Sequence, residues 1–214
     1  MNKAYAIGIP TLNRADLLLP SLISYKEDFP NTRIFVIDNG MQPLLDGVQL
    51  TNPNVTLIRS GENLGVAASW NMMCKLIFSE GIPNAFILND DVYFGGNESL
   101  MSSYLFCSDN RHLHTNPIDW SAFILPKATF ERIGDFDEQF YPAYCEDNDY
   151  AYRMKLANFA IRKTPFLIPI VHRSSQTLEK DTSIANAYRV NKKRYIEKWG
   201  GQPDFEVFKK PYNK

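Results

Sequence analysis

Two adjacent carboxylates, Asp90 and Asp91, follow a short apolar run near the middle of the chain, within the sequence FILNDDVYF. Neighbouring like charges beside buried apolar side chains are unfavourable unless water or a cation compensates them. Carboxylate oxygens held close together are ligands for Mg²⁺ and Mn²⁺, which keep coordination positions open for substrate phosphates. The pair therefore predicts either a divalent metal site or an acidic turn, because adjacent acids are also common in turns.

A histidine far along the chain, His172, is a candidate for the same site. It ends an apolar run and is followed by Arg173. A histidine at the end of a strand would favour Mn²⁺ over Mg²⁺ in an otherwise oxygen-rich site. The alternative interpretation is a packed or surface histidine that binds nothing.

A second acidic run, Glu146-Asp147-Asn148-Asp149, follows an aromatic stretch from Phe136 to Tyr144. Acids in the first turn of a helix are stabilised by the helix dipole, and Asp149 stands four residues before Arg153. Alternatively, the aromatic side chains wall a pocket in which one carboxylate deprotonates an attacking hydroxyl. The dipole lowers the pKa of these acids, whereas neighbouring charges and a dry pocket raise it, and the sequence leaves the balance open.

Short apolar runs and helical spacings alternate along the chain and predict the elements that position these residues. Because strands alternate with helices, we expect an α/β fold, with a mostly parallel central sheet flanked by helices, in a single domain. The carboxyl ends of parallel strands meet at one edge, which would bring together Thr11, Asp38 and Asp91. The predicted strands are 4–10, 33–37, 55–58, 85–88, 120–126 and 166–171. The predicted helices are 17–25, 66–78, 97–107, 127–133, 150–157 and 182–199. Residues 108–119 are predicted to form a loop.

The composition restricts the class of protein. The chain has 214 residues, of which 44% are hydrophobic, enough for one sizeable core. Its formal net charge of -1 gives no general attraction to nucleic acid. We identify neither a signal peptide nor a run long enough to span a bilayer, so we expect a cytoplasmic protein.

Two weaker signals remain. The segment from Gly61 to Gly65 matches neither a dinucleotide-binding nor an ATP-binding loop, but a turn of this kind can present amides to a phosphate. The basic stretch 182–199, which includes Tyr195 and Trp199, predicts a helix. Its charged face is either simply solvated or a peripheral contact with an anionic membrane.

Taken in chain order, these motifs resemble family 2 glycosyltransferases with the GT-A fold, in particular the rhamnosyltransferase-like branch. The likeness covers about residues 4–175 and depends on six motifs in the right order. Those motifs are Ile9-Pro10-Thr11-Leu12-Asn13-Arg14, Val36-Ile37-Asp38-Asn39-Gly40, Asn63-Leu64-Gly65-Val66 with Asn71, Leu88-Asn89-Asp90-Asp91, Glu146-Asp147-Asn148-Asp149 with Arg153, and His172.

The resemblance implies a role for each residue that matches a motif. Asp91 and His172 would bind Mn²⁺ or Mg²⁺, Asp147 would be the general base, and Glu146 would place acceptor or donor hydroxyls. Asp38 would contact a uracil or thymine base. Asn89 stands where the family has the first acid of a triplet, which leaves Asp91 as the metal ligand of this motif. The implied nucleotide-sugar contacts are Pro10, Thr11, Asn13, Arg14, Asp38, Asn63, Gly65, Asn71, Asn89, Asp90 and Trp120.

The resemblance also implies an activity. It is the inverting, metal-dependent transfer of one sugar, such as glucose or rhamnose, from a UDP- or dTDP-sugar to a hydroxyl of a glycan, glycolipid or glycoprotein. The donor would bind in residues 1–95 and the acceptor in 96–180, around the loop 112–120 and the aromatic stretch 136–144, with 181–214 as a basic helix and tail. Similar small domains occur in bacteria and in large DNA viruses, where this one would lie in the host cytoplasm.

Two other functions remain open from the residues themselves. A metal-dependent phosphodiesterase could use the same acids, although it would need more carboxylates and a basic groove. A domain that binds nucleotide sugars or glycans without catalysis is also compatible with Asn89 in the acidic motif. Turnover of a nucleotide sugar would separate these alternatives from a glycosyltransferase.

Overall fold

A computed structural model describes residues 5–94, 112–115, 120–163, 170–172 and 182–214. The predicted helix 97–107 and the ends of the predicted loop 108–119 lie outside the described residues, as does most of the predicted strand 166–171. The strands are β1 Ala6–Thr11, β2 Ile34–Asp38, β3 Val55–Arg59, β4 Asn84–Leu88, β5 Val92–Phe94, β6 Leu113–Thr115, β7 Ala122–Pro126, β8 Ile161–Lys163 and β9 Ile170–His172. The helices are α1 Ala15–Asp28, α2 Val48–Thr51, α3 Gly65–Ser79, α4 Lys127–Ile133, α5 Glu146–Leu156 and α6 Thr182–Trp199, with 3₁₀ turns at Pro43–Leu45, Glu138–Phe140 and Pro211–Asn213.

The described strands form a central sheet in the order β3-β2-β1-β4-β7-β6-β8, with β5 and β9 in a separate small sheet. The pairs β1·β2, β1·β4, β2·β3 and β6·β8 are parallel, and β7 runs antiparallel to both of its neighbours. The prediction of a mostly parallel α/β sheet is therefore confirmed. One part of the sequence interpretation was wrong, because β6 lies within the predicted loop 108–119.

Helices cover both faces of this sheet because successive strand residues point to opposite sides. In β1, Ile7 and Ile9 pack in the cluster that contains Leu18 of α1. Gly8 points to α3, where an added Cβ would lie 2.8 Å from the sulfur of Met73. Glycine at this position therefore lets α3 approach the sheet without displacing the Met73 side chain.

The C-terminal helix α6 is packed into the fold through a third cluster. Trp199 and Tyr195 of α6 are buried against Phe140, Cys145 and Tyr152. Because these residues come from the segment before α5 and from α5 itself, α6 supports the acidic run at the start of α5. None of the described helices is long and apolar enough to cross a bilayer.

Candidate functional site

Polar residues from three strands meet at the carboxyl edge of the sheet. Pro10 and Thr11 at the end of β1 pair with Ile37 and Asp38 at the end of β2. The Thr11 hydroxyl donates a 2.8 Å hydrogen bond to Oδ2 of Asp90, which follows β4. The strand ends that the sequence predicted to meet therefore form one edge.

The charges at this edge are mostly negative. Burial, together with the charge of Asp91, raises the pKa of Asp90 to about 7, although the Thr11 hydrogen bond and the Arg14 charge oppose the rise. Asp91 is also buried. Arg14 is held in a two-point contact with Asp16, with nitrogen–oxygen distances of 3.0 and 3.1 Å. Three carboxylates therefore surround one guanidinium, and the excess of negative charge at this edge would favour a cation.

The fold brings the backbone of His172 next to the acidic pair. Strand β5 begins directly after Asp91, and its first residue, Val92, is opposite His172 of β9. The side chain of His172 lies outside what the structure describes, so its role as a metal ligand stays a prediction. Among the described side chains, no group of three His, Cys, Asp or Glu residues is arranged to hold a metal.

Asp38 is completely buried, and its two oxygens accept hydrogen bonds from within the protein. The Gly40 amide donates at 3.0 Å, and Gln42 donates through its amide at 2.7 Å and its side chain at 2.9 Å. Arg59 forms an ion pair with the same carboxylate. A base could reach Asp38 only by displacing one of these donors, so its contact with uracil or thymine stays a prediction.

The loops after β1 and β2 touch each other at the same edge. A Cβ on Gly40 would collide with Asn13, so only glycine allows this contact. Asn13 itself is exposed and has a φ of 55°, in the left-handed region. It is therefore open to a ligand at the edge, unlike Asp38.

The predicted phosphate role of the Gly61–Gly65 turn stays a prediction, and two of the turn's amides are already donated within the protein. Asn63 is half-buried, and Gly65 has a φ of 78° with an added Cβ only 2.8 Å from the carbonyl oxygen of Pro142. The turn thus packs against the segment before α5. Three successive amides donate within the protein: Leu64 to Oδ1 of Asn39 at 3.0 Å, Gly65 to Oδ1 of Asn63 at 2.9 Å, and Val66 to the carbonyl of Pro142 at 2.8 Å.

The side-chain amide of Asn71 is used within the protein, and the ring of Trp120 packs against other aromatic rings. The nucleotide-sugar contact implied for each of them stays a prediction. Both amide hydrogens of Asn71 are donated, to the carbonyl of Phe136 and to Glu138, and its oxygen accepts from the Phe136 amide. Asn71 therefore holds the segment before α5 in place, and neither of its amide hydrogens is left over for a nucleotide sugar. Trp120 lies two residues before β7, and its ring packs edge-on against Phe123, Phe136 and Tyr150.

Glu146 is a buried carboxyl at the start of α5. Its Oε2 has no hydrogen-bond partner among the described residues. Burial raises the pKa of Glu146 well above its ordinary value, the charge of Asp147 adds to the rise, and backbone hydrogen bonds from Glu146 and Tyr144 oppose it. Asp147 is only half-buried, and its Oδ1 accepts from the Asn148 amide at 2.8 Å. For Glu146, burial therefore outweighs the helix dipole, a balance that the sequence left open.

The backbone before Glu146 is strained. Tyr144 and Cys145 have φ values of 77° and 73°, a region that costs about 1 kcal/mol for a residue with a side chain. The buried amide of Asn191 in α6 stabilises this turn by donating to the carbonyls of Phe140 and Ala143, both at 2.8 Å. Sequence reasoning missed Asn191, whose only signal is a polar amide on the side of α6 that carries Tyr195.

The last acid of the run, Asp149, points away from the site. It is completely buried and accepts from Nε of Arg153 at 2.8 Å, which confirms the predicted helical pair. It also accepts from Nε1 of Trp199 at 2.8 Å and lies 2.5 Å from Nζ of Lys198. Asp149 thus anchors α5 to α6.

Two sets of contacts place the start of α5 at the edge that carries Asp90 and Asp91. One is the hydrogen bond from Val66 to Pro142 described above. In the other, the half-buried Asn89 donates its amide to the Ser121 carbonyl at 2.8 Å, and the neighbouring Trp120 packs against Tyr150 of α5.

The predicted aromatic wall of the acceptor pocket is only partly correct. Phe136 and Phe140 are core residues, with 1% and 0% of their surface exposed. Phe136 stacks on Tyr150 with ring centroids 4.0 Å apart. Tyr141 is exposed and Tyr144 half-buried, so only these two can line a pocket.

Residues 6–96 match the sequence model of Glycosyl transferase family 2. This range contains the first four motifs of the sequence resemblance, which is thereby confirmed over that part of the chain. A comparison with curated proteins finds no match.

Solved structures of glycosyltransferases share the fold. The mannosyltransferase PcManGT from Pyrobaculum calidifontis, in complex with GDP-Man and Mn²⁺, matches with a TM-score of 0.68, 15% identity, and coverage of 92% of this chain and 62% of that one. GalNAc-T7 with UDP, GalNAc and Mn²⁺ matches with a TM-score of 0.73, 11% identity, and coverage of 92% and 48%. TarS from S. aureus matches with a TM-score of 0.60, 14% identity, and coverage of 76% of this chain and 35% of that one. The chain has the GT-A fold and spans less than two thirds of each of these chains.

Proposed function

We propose, from the family 2 match of residues 6–96 and the GT-A fold, that this chain is an inverting, metal-dependent glycosyltransferase. It moves one sugar from a nucleotide-diphosphate donor to a hydroxyl of a glycan, glycolipid or glycoprotein. The similar structures contain GDP-Man in one case and UDP in others. For this chain we propose a UDP- or dTDP-sugar, with glucose or rhamnose as the sugar.

The observation that carries the proposal is the position of two acidic pairs at one sheet edge. Asp90 and Asp91 follow β4, and Glu146 and Asp147 begin α5, which contacts this side of the sheet through the Val66–Pro142 hydrogen bond and the Trp120–Tyr150 ring contact. One pair is suited to bind a cation and diphosphate, and the other contains a half-buried carboxylate that can accept a proton. A sugar donor that lies between the pairs would have its diphosphate on one side and an attacking hydroxyl on the other.

The chain's residues support a direct displacement. Asp147 takes the proton of the acceptor hydroxyl as its oxygen forms a bond to the anomeric carbon, and the bond to the diphosphate breaks on the opposite face, which inverts the configuration. Glu146, whose pKa is raised by burial, holds its proton more tightly than an exposed glutamate does, and it positions hydroxyl groups by hydrogen bonds. When bound at Asp91, with His172 as a further ligand, Mn²⁺ or Mg²⁺ supplies Lewis-acid stabilisation of the leaving diphosphate.

The donor contacts follow from the same edge. Thr11 and Asp90 lie beside the ribose, and the exposed Asn13 is free to reach the base or ribose. The location we propose is cytoplasmic. The exposed cations Arg189 and Lys193 of α6 would provide a peripheral contact with an anionic membrane.

The test is turnover of a nucleotide-sugar panel with Mn²⁺, measured as release of UDP, GDP or dTDP, with water replacing the acceptor. We expect one donor to be hydrolysed slowly. Asp147→Asn should lower this rate by a factor on the order of 10²–10⁴ while the affinity for the nucleotide, measured by calorimetry, is retained. Asp135→Asn, an exposed acid paired with Lys75, is the matched control.

Other outcomes identify the alternatives. Nucleotide binding without any turnover indicates a binding domain. Hydrolysis of bis(p-nitrophenyl) phosphate without hydrolysis of any nucleotide sugar indicates a phosphodiesterase. An Asp147→Asn variant that turns over at the parental rate would exclude this residue as the base.

A further inference from the structure

A groove runs along the outer face of α5 and lies outside the edge described above. Its cavity has a volume of about 510 Å³. One wall is α5 with Asn148 and Tyr152, a second is the segment before β8 with Phe159, and the third is the C-terminal segment with Glu206. This volume is within the range of small-molecule binding sites.

The C-terminal wall is held in place by specific contacts. The amides of Val207 and Phe208 both donate to the carbonyl of Trp199, at 3.0 and 2.9 Å. The Tyr152 hydroxyl donates to the Phe208 carbonyl at 2.9 Å, and the Tyr195 hydroxyl donates to Glu206 at 2.6 Å. The tail therefore folds back to form a fixed wall.

The chemistry of the groove suits an uncharged ligand rich in hydroxyl groups. The amides of Asn148 and Asn158 each offer both donors and acceptors, which hydroxyls can use in either direction. Phe159 adds an aromatic surface for the apolar face of a ring. The charged side chains of the lining are one base, Lys155, and two acids, Asp204 and Glu206, so the lining carries no excess of positive charge that would favour an anionic ligand.

The lining of the groove on α5 ends one residue from the proposed catalytic base. This lining extends from Lys155 back to Asn148, and Asn148 directly follows Asp147. This stretch of helix is about 10 Å long. A chain-like molecule in the groove would therefore extend along α5 and present its end beside Asp147.

We propose that this groove is the acceptor subsite and that it takes an uncharged oligosaccharide. The proposal rests on the transferase function proposed above. It places the acceptor between α5 and the C-terminal tail, whereas the sequence predicted it around the loop 112–120 and the aromatic stretch 136–144. The bound oligosaccharide offers its terminal hydroxyl to Asp147.

The test is a printed array of neutral and anionic oligosaccharides probed with the labelled full chain in the presence of UDP and Mn²⁺. Ala151→Arg places a long side chain in the groove on a half-buried helical position. Ala68→Arg is the matched control, because Ala68 is a half-buried alanine of α3 that lines a separate cavity of about 360 Å³. Thermal unfolding of both variants confirms that each remains folded.

We expect the parent and Ala68→Arg to bind at least one neutral oligosaccharide, and Ala151→Arg to bind it about tenfold more weakly or worse, a loss of about 1.4 kcal/mol. Equal binding by Ala151→Arg, binding to anionic glycans alone, or no glycan binding by the parent would each overturn the proposal. Donor hydrolysis reports separately on the transferase function. Glycan binding without donor hydrolysis would support the proposed glycan site and contradict the proposed transferase function. Donor hydrolysis without glycan binding would support the transferase function and contradict the proposed glycan site.

Discussion

The indole Nε1 of Trp199 donates a 2.8 Å hydrogen bond to Oδ1 of Asp149, joining the end of α6 to the first turn of α5. Asp149 is completely buried and also contacts Arg153 and Lys198. Lys198 in turn lies 2.6 Å from Asp137, before the 3₁₀ turn that leads to α5. The C-terminal helix therefore sets the position of the acids that begin α5.

Asp149→Asn should destabilise the protein by about 3 kcal/mol or more, because it removes the charge that pairs with the half-buried Arg153 and leaves the buried Lys198 with Asp137 as its remaining acid. The measurement is the free energy of unfolding in urea. Glu131→Gln is the control, since Glu131 is exposed and lies 3.8 Å from the exposed Lys127, and it should change stability by less than about 0.5 kcal/mol. Equal stabilities of the two variants would contradict the anchoring role of Asp149.

Glu146→Gln should stabilise the protein at neutral pH while it lowers turnover. The raised pKa of Glu146 means that the folded protein holds this proton more tightly than the unfolded chain does. Parental stability therefore falls as pH rises above the ordinary glutamate pKa, and continues to fall up to the raised pKa of the folded state. The glutamine variant lacks this loss because its amide cannot ionise.

The measurement for Glu146→Gln is the melting temperature as a function of pH. The difference in melting temperature between variant and parent should widen from acidic to neutral pH. Glu131→Gln should follow the parental curve, because its carboxylate is exposed in the folded state as well. A constant difference across the pH range would show that folding does not raise the pKa of Glu146.

The sequence predicted the sheet and its polar edge because both follow from local patterns. Thr11, Asp38 and Asp91 each follow an apolar strand, and parallel pairing alone brings such positions together. The sequence could not show that Asn71 has no free amide hydrogen, because its partners lie 65 and 67 residues away. A sequence motif shows which polar side chains are present. It does not show whether their hydrogen-bonding groups are already paired within the folded protein.

The groove on α5 could not have been predicted for a related reason. Its walls come from α5, the segment before β8 and the tail that contains Glu206. The tail reaches α5 because Trp199 donates to Asp149 of α5 and accepts from the amides of Val207 and Phe208. Tyr152 of α5 also donates to the Phe208 carbonyl. Neither hydrophobic periodicity nor residue spacing predicts that α6, which begins at Thr182, long after α5 ends at Leu156, packs back against α5.

Gly65→Ala should cost clearly more stability than Gly61→Ala. Both glycines have a positive φ, 78° and 80°, so both substitutions carry the backbone penalty of about 1 kcal/mol. Only at Gly65 would the added Cβ also collide with the segment before α5, 2.8 Å from the Pro142 carbonyl oxygen, whereas nothing lies within 4 Å at Gly61. Urea unfolding of both variants measures the difference, and identical midpoints would mean that this contact is not required in solution.

Asp91→Ala should remove the metal-dependent part of nucleotide binding. Asp91 is buried beside Asp90, and the backbone of His172 lies one strand position away, so the loss of this carboxylate removes the central oxygen ligand of the proposed cation. Calorimetry of UDP binding with and without Mn²⁺ measures the effect. The parent should bind UDP at least about tenfold more tightly with Mn²⁺, and the variant should show no gain. Asp135→Ala, at an exposed acid, should keep the parental gain. If Asp91→Ala kept the gain as well, the metal would have to bind through other residues.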